Sequence, residues 1–95
     1  MYIIFPKYVV SNPNLTNQAK HFFAILYTLS GEKGFCVCTN KELSDYAEVS
    51  VRQIQRYLLA FRKENLIHIE YVNEYRTIWM GDFWDETRSP DMEFD

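Results

Sequence analysis

The sequence lacks any run of about 20 apolar residues, the length that a membrane-spanning helix needs. Residues 1–7 also lack the basic start, the long apolar stretch and the small-residue cleavage site that together mark a signal peptide. We therefore expect a protein that stays in the cytoplasm and has no membrane partner.

Cysteine is scarce, since Cys36 and Cys38 are the only two in the chain. We expect their side chains to point to opposite faces of a strand, which would prevent both a mutual disulfide and a shared metal ion. A zinc site also needs about four ligands, and only His21 and His68 remain as soft partners. The thiols are therefore expected to be small strand residues in a reducing compartment, with no metal or cofactor bound.

The spacings that mark catalytic sites are absent as well. The sequence contains no Ser/His/Asp arrangement, no glycine-rich phosphate loop and no paired metal ligands. His21 is expected near the apolar face of a helix and His68 within a strand, where packing or surface roles are more common. We therefore expect that the protein is not an enzyme.

Charge is present but unevenly distributed. The net charge of −3 argues at first against nucleic-acid binding. Residues 1–80, however, carry nine Lys and Arg against seven Asp and Glu, a net charge of +2. Residues 81–95 carry one Arg against six acids, a net charge of −5. The acidity belongs to the tail, so a partner surface on residues 1–80 has to be judged without it.

Nearly half of the 95 residues are hydrophobic (47%), which is enough for one packed domain. We expect an extended N-terminal arm over residues 1–15, since Pro6 interrupts a β-branched and aromatic stretch that suits an edge strand. Residues 16–80 are expected to form the domain, and residues 81–95 an acidic, aromatic tail. Hydrophobic periodicity between 16 and 80 predicts the order helix, strand, helix, helix, strand, strand, an α+β fold that is mainly α.

Two capping signatures predict that the second and third of these helices are joined by a tight turn. Thr39 with Glu42 begins one helix, and Ser50 with Gln53 begins the next. Together they have the pattern of a helix-turn-helix. The turn contains Glu48, where many such motifs have glycine, so we expect a turn of somewhat different shape.

The outer face of the third helix is predicted to be purely basic. At ~100° per residue, Arg52, Arg56 and Lys63 project within ~40° of one another, opposite an apolar stripe. Arg and Gln side chains suit the guanine and adenine edges of a major groove, and the amides at a helix start bind phosphate. The DNA contacts predicted on this helix are Ser50, Arg52, Gln53, Gln55, Arg56 and Lys63.

The hairpin that follows is the second predicted contact region. Asn73 and Arg76 are expected near its tip, where they would touch phosphates or the minor groove. Arg76 is the only cation of the hairpin, whereas Glu70 and Glu74 would oppose a phosphate.

From about Thr16 to Met80, the chain resembles the winged-helix domains of phage and plasmid replication initiators and related mobile-element proteins. The resemblance is carried by Cys-Thr-Asn-Lys-Glu-Leu (38–43), Ser-Val-Arg-Gln-Ile-Gln-Arg-Tyr-Leu (50–58) and Lys-Glu-Asn-Leu-Ile (63–67). It implies three helices with a small antiparallel sheet, a recognition helix over 50–64 and double-stranded DNA as the partner. Because only a short tail follows the hairpin, an accessory or regulatory protein is expected rather than a complete initiator.

The resemblance leaves the biological process open. Domains of this kind serve replication origins, conjugation origins as relaxosome accessory factors, and promoters. A transcriptional regulator and a protein-interaction module on the same scaffold therefore remain alternatives. We also expect a homodimer, held through the arm or the tail and spanning two half-sites, and a protein partner at an origin.

Overall fold

The computed structural model describes residues 3–81, which form an α+β domain that is mainly helical. The six elements expected between 16 and 80 are present in the expected order, and one short helix precedes them. The tail expected over 81–95 lies outside the described residues except for Gly81. The elements are α1 (Lys7–Val10), α2 (Asn17–Ser30), β1 (Phe35–Val37), α3 (Asn40–Ala47), α4 (Val51–Lys63), β2 (Ile67–Val72) and β3 (Tyr75–Met80), with a 3-10 turn at Gly31–Lys33.

The three strands form one antiparallel sheet in the order β1-β3-β2. β2 and β3 pair along their whole length, from Ile67 opposite Met80 to Val72 opposite Tyr75. Only Asn73 and Glu74 connect them, and both have positive φ (51° and 70°). Such two-residue turns match the right-handed twist of the paired strands. The hairpin therefore has a short tip made of these two side chains.

The hydrophobic core lies where α2 and α4 meet. Phe61 of α4 is fully buried and contacts Phe22 and Phe23 of α2, with ring centroids 6.0 and 5.1 Å apart. Tyr57, one turn earlier, stacks on Phe22 at 5.2 Å. These residues meet because residues three and four apart lie on one face of a helix. The core cluster also contains Val9, Leu15, Ala19, Leu26, Leu43, Ile54, Leu58, Leu66, Ile67, Ile78 and Met80.

The N-terminal segment differs from the extended arm or edge strand expected for it. Lys7–Val10 forms one helical turn, because the carbonyl of Pro6 accepts hydrogen bonds from the amides of Val9 and Val10. Val9 is fully buried, and the amide of Ile4 donates to Thr28 Oγ1 of α2 at 2.9 Å. Burial against α2 therefore stabilises a helical turn where the residue types alone favoured a strand.

The expectation that Cys36 and Cys38 point apart is wrong. Residues two positions apart in a strand share a face, and the two Sγ atoms lie 3.5 Å from each other. The thiols therefore form a close pair.

The turn between α3 and α4 is built on a left-handed residue. Glu48 has φ 59° and ψ 40°, and its amide donates to the carbonyl of Ser44. The amide of Val49 donates to the same carbonyl, and the Ser44 hydroxyl donates to the carbonyl of Val49. The chain thus adopts the conformation that glycine allows most easily, although a side chain is present.

The end of α4 directs the chain into the hairpin. Asn65 has φ 57°, its amide donates to the carbonyl of Arg62, and the amide of Leu66 donates to the carbonyl of Phe61 at 2.9 Å. This pair of bonds is a Schellman motif, which ends a helix and satisfies its last carbonyls. β2 begins immediately afterwards, so the hairpin lies beside the helix.

Replacing Glu48 with glycine is expected to stabilise the domain by about 1 kcal/mol, because a left-handed residue with a Cβ costs about 1–2 kcal/mol and glycine loses part of that gain as unfolded-state entropy. Urea unfolding of Glu48→Gly and Glu48→Ala measures this difference. The Ala variant is the control, since it removes the carboxylate but keeps the backbone strain. Equal stability of the two variants would contradict the prediction.

Candidate nucleic-acid interface

Both helices of the pair begin as their sequences predicted. Thr39 and Glu42 form a capping box, in which each side chain accepts the other residue's amide hydrogen bond. Ser50 caps α4, and its Oγ accepts from the amide of Gln53 at 3.1 Å. These caps fix the residues at which α3 and α4 begin.

The two faces of α4 separate nearly as expected. Ile54, Tyr57, Leu58 and Phe61 are buried. Val51, which the helical projection assigned to the buried stripe, is 37% exposed. It lies in the first turn of the helix, at the edge of the core. The outward face is exposed at every basic position predicted for it, namely Arg52, Arg56 and Lys63.

The basic side chains of this face are not neutralised by neighbours in the described part of the chain. Within residues 3–81 the ion pair is Lys41–Asp45 on α3, at 2.7 Å. Over the same residues, neither hydrogen bonds nor ion pairs engage Arg52, Arg56 or Lys63. An exposed like-charged row is repulsive in the free protein, so an anionic partner would relieve that repulsion.

The acid that follows Lys63 is held in place by neutral partners. Asn14 and Asn12 both donate from Nδ2 to Glu64 Oε1 at 3.1 Å. These two hydrogen bonds hold the pKa of Glu64 below its ordinary value. Its carboxylate therefore joins the loop before α2 to the end of α4.

The two glutamines of α4 differ in their surroundings. Gln55 is exposed beside the basic face, as its predicted role requires. Gln53 is half-buried and lines a groove of about 560 Å³ between α2 and α4, together with His21, Phe22 and Tyr57. Of the two amides, Gln55 is therefore the more accessible to a partner of the outer face.

Arg76 is engaged within the domain. Its Nε and Nη2 donate to the carbonyl of Cys38 at 3.2 and 2.9 Å, and its Nη1 donates to Asn40 Oδ1 at 2.6 Å. Three of the five guanidinium N–H donors are thereby used. The residue joins β3 to the start of α3 and positions the hairpin. Asn73, the other predicted contact of the hairpin, is exposed at the tip.

Arg62 is a basic residue of this surface that sequence reasoning did not select. It is exposed and lines a groove of about 390 Å³ between α4 and the hairpin, along with Gln55, Tyr71 and Arg76. Its helical projection falls ~80° from Ile54, at the border of the apolar stripe. Only the position of the hairpin makes that border part of a basic groove.

Two other features, a metal centre and a membrane-spanning helix, are not found in residues 3–81. No group of three or more His, Cys, Asp or Glu side chains there is arranged to hold a metal ion. No helix in that range is long and apolar enough to cross a membrane. Comparison with protein-family models, with curated proteins and with solved structures gives no match.

Replacing Arg76 with alanine is expected to destabilise the domain by about 2 kcal/mol, because hydrogen bonds from a charged, half-buried donor are each worth about 1.5–3 kcal/mol and their acceptors would lose a partner. Replacing the exposed Arg62 with alanine should change stability by no more than about 0.5 kcal/mol. Urea unfolding of both variants provides the comparison. Equal effects would show that Arg76 does not anchor the hairpin.

Proposed function

We propose that this domain is a winged helix that binds double-stranded DNA, with α4 as the recognition helix and the β2–β3 hairpin as the wing. The observation that carries the proposal is the outer face of α4, where Arg52, Arg56 and Lys63 are exposed and have no partner within residues 3–81. A face that only kept the helix in solution would usually mix both signs of charge. A face of one sign on the second helix of such a pair favours an anionic partner.

The dimensions of α4 support insertion into a major groove. Its 13 residues extend over about 20 Å, and a helix with its side chains is about 10–12 Å across, close to the width of the groove. Arg52 and Arg56 lie in the first half of the helix, the part of a recognition helix that contacts base edges. We assign base contacts to these two residues and to Gln55, and phosphate contacts to Lys63 and Ser50.

The hairpin is assigned a flanking role in this proposal. Arg62 and Arg76 border the groove between α4 and the hairpin. With α4 in the major groove of DNA, the adjacent sugar-phosphate backbone would lie along this part of the protein. Arg76 retains two free N–H donors, so it can orient one phosphate while it anchors the hairpin. Asn73 at the tip is assigned a phosphate or minor-groove contact. Gln53 is assigned only a peripheral contact because it is half-buried.

The biological setting is proposed from the sequence resemblance alone. We propose an accessory or regulatory role at a replication or transfer origin of a plasmid or phage, with no catalytic activity of its own. The same surface serves equally for regulation of a promoter. A homodimer through the N-terminal segment is part of the proposal, supported by the half-exposed apolar side chains of Ile4, Phe5 and Val10.

Replacing Arg52 or Arg56 with alanine is expected to weaken binding to the preferred site and to relax discrimination at the base pair that the residue contacts, because loss of one bidentate base contact costs about 1–3 kcal/mol, or roughly 5- to 150-fold in affinity. Selection of bound duplexes from a random pool supplies the preferred site, and fluorescence anisotropy measures affinity for it. The charge-matched control is Lys33→Ala, in the 3-10 turn before β1. Equal loss in the control would contradict the assignment, and so would no binding of any duplex by the unsubstituted protein at low salt.

Lys63→Ala is expected to weaken binding to all duplexes alike. Each lost phosphate contact should reduce the slope of log affinity against log salt by about 1. Titrations at several salt concentrations, for the selected site and for an unrelated duplex, check this. A change confined to the selected site would instead assign Lys63 to base recognition.

A further inference from the structure

The thiol pair Cys36–Cys38 is a second site of chemical interest, separate from the outer face of α4. The two Sγ atoms lie 3.5 Å apart, and both thiols are free and half-buried. A disulfide has an S–S length of about 2.05 Å, so the sulfurs need to approach by about 1.5 Å. Closing that distance requires rotation of both side chains and bending of the backbone at Cys38, which lies just beyond β1.

The surroundings distinguish the two thiols. The pKa of Cys38 is lowered to about 7, because its hydrogen bond with the Cys36 thiol and the nearby Arg76 guanidinium together outweigh the effect of burial. The pKa of Cys36 is raised, first by its hydrogen bond with Cys38 and then by burial. A thiolate is the reactive form of cysteine. Cys38 is therefore the nucleophile of the pair, and Cys36 is its neighbour in the thiol form.

The pair is also accessible to small molecules. A surface depression of about 710 Å³ contains both cysteines and is bordered by Leu29, Lys33 and Phe35. No third metal-ligating side chain of residues 3–81 completes a metal site with them. The geometry therefore suits thiol oxidation better than metal binding.

We propose that Cys36 and Cys38 form a reversible thiol-oxidation site whose substrates are peroxides. The Cys38 thiolate attacks one oxygen of hydrogen peroxide, the O–O bond breaks, and Cys38 sulfenic acid and hydroxide result. The sulfur of Cys36 then attacks the sulfur of Cys38, the S–O bond breaks, and water leaves as the disulfide forms. The two thiols lose two electrons in total, which peroxide accepts.

The second step is favoured by the first. Beside burial, the pKa of Cys36 is raised by two interactions with Cys38, a hydrogen bond, which is the largest cause, and a smaller charge interaction. The hydrogen bond and the thiolate charge are lost once Cys38 is oxidised, so Cys36 ionises more easily at that stage. The resulting disulfide would join residues only two positions apart, which strains its geometry. Strained disulfides are the ones that are readily reduced.

Oxidation would also act on the anchor of the hairpin. The carbonyl of Cys38 accepts two hydrogen bonds from Arg76, and Thr39, the next residue, caps α3. Bending the backbone at Cys38 to close the disulfide displaces that carbonyl. The thiol chemistry itself does not depend on the proposed DNA binding.

Treatment of the full chain with a small excess of hydrogen peroxide tests the proposal by mass spectrometry without reductant. We expect a monomer that has lost two hydrogen masses, located in the tryptic peptide 34–41 that contains both cysteines. Dithiothreitol should restore the original mass. A peptide that gains oxygen without losing hydrogens, or disulfides only between chains, would overturn the proposal.

Single serine variants test the assignment of the two thiols. Cys36→Ser is expected to accumulate Cys38 sulfenic acid, trapped by dimedone, at close to the rate at which the unsubstituted protein is oxidised. Cys38→Ser should react at least about tenfold more slowly, because the remaining thiol is mostly protonated. Both variants in guanidinium chloride serve as controls and should react at similar rates. Equal rates in the folded variants, with circular dichroism confirming folding, would overturn the assignment of Cys38 as the nucleophile.

Discussion

The packing of α4 on α2 is the contact on which the other features depend. Phe61 is fully buried between Phe22 and Phe23, and replacing such a side chain with alanine typically costs about 3–5 kcal/mol. This contact fixes the rotation of α4 about its own axis. Since the buried and basic stripes lie on opposite sides of one helix, the same contact holds Arg52 and Arg56 in solvent. Exposed side chains contribute far less to stability, so the outer face can vary without loss of the fold.

Backbone geometry at three short connections then sets the position of the hairpin. Left-handed residues occur at Glu48, at Asn65 and in the two-residue turn of the hairpin. At Asn65 the Schellman motif sends the chain directly from α4 into β2, so helix and hairpin become neighbours. Arg76 adds a side-chain connection from β3 to the start of α3. The groove between α4 and the hairpin is a consequence of these local constraints.

The charged residues of this protein differ by region of the chain and by whether they have a partner within the domain. The chain as a whole carries −3, whereas residues 1–80 carry +2. Even within that region the basic residues differ: Lys41 is paired with Asp45, Lys20 donates to the carbonyl of Val10, and Arg76 is held by two acceptors. The cations of α4 are among those without a side-chain partner in residues 3–81, and on α4 they share one helix. The net charge therefore indicates a binding surface less well than the set of basic side chains that lack a partner.

The sequence by itself determined the helices after residue 16, their caps, the hairpin and the basic face of α4, because periodicity and capping act over three or four residues. Only the tertiary structure decided the helical turn at Lys7–Val10, which depends on burial of Val9 against α2. It also decided the engagement of Arg76 and the place of Arg62 in a groove, since both depend on where the hairpin packs. The 3.5 Å thiol pair followed from strand geometry. The pKa of Cys38 is lowered first by its hydrogen bond with Cys36 and then by Arg76, which is 38 positions away in the chain and is brought close only by the tertiary structure.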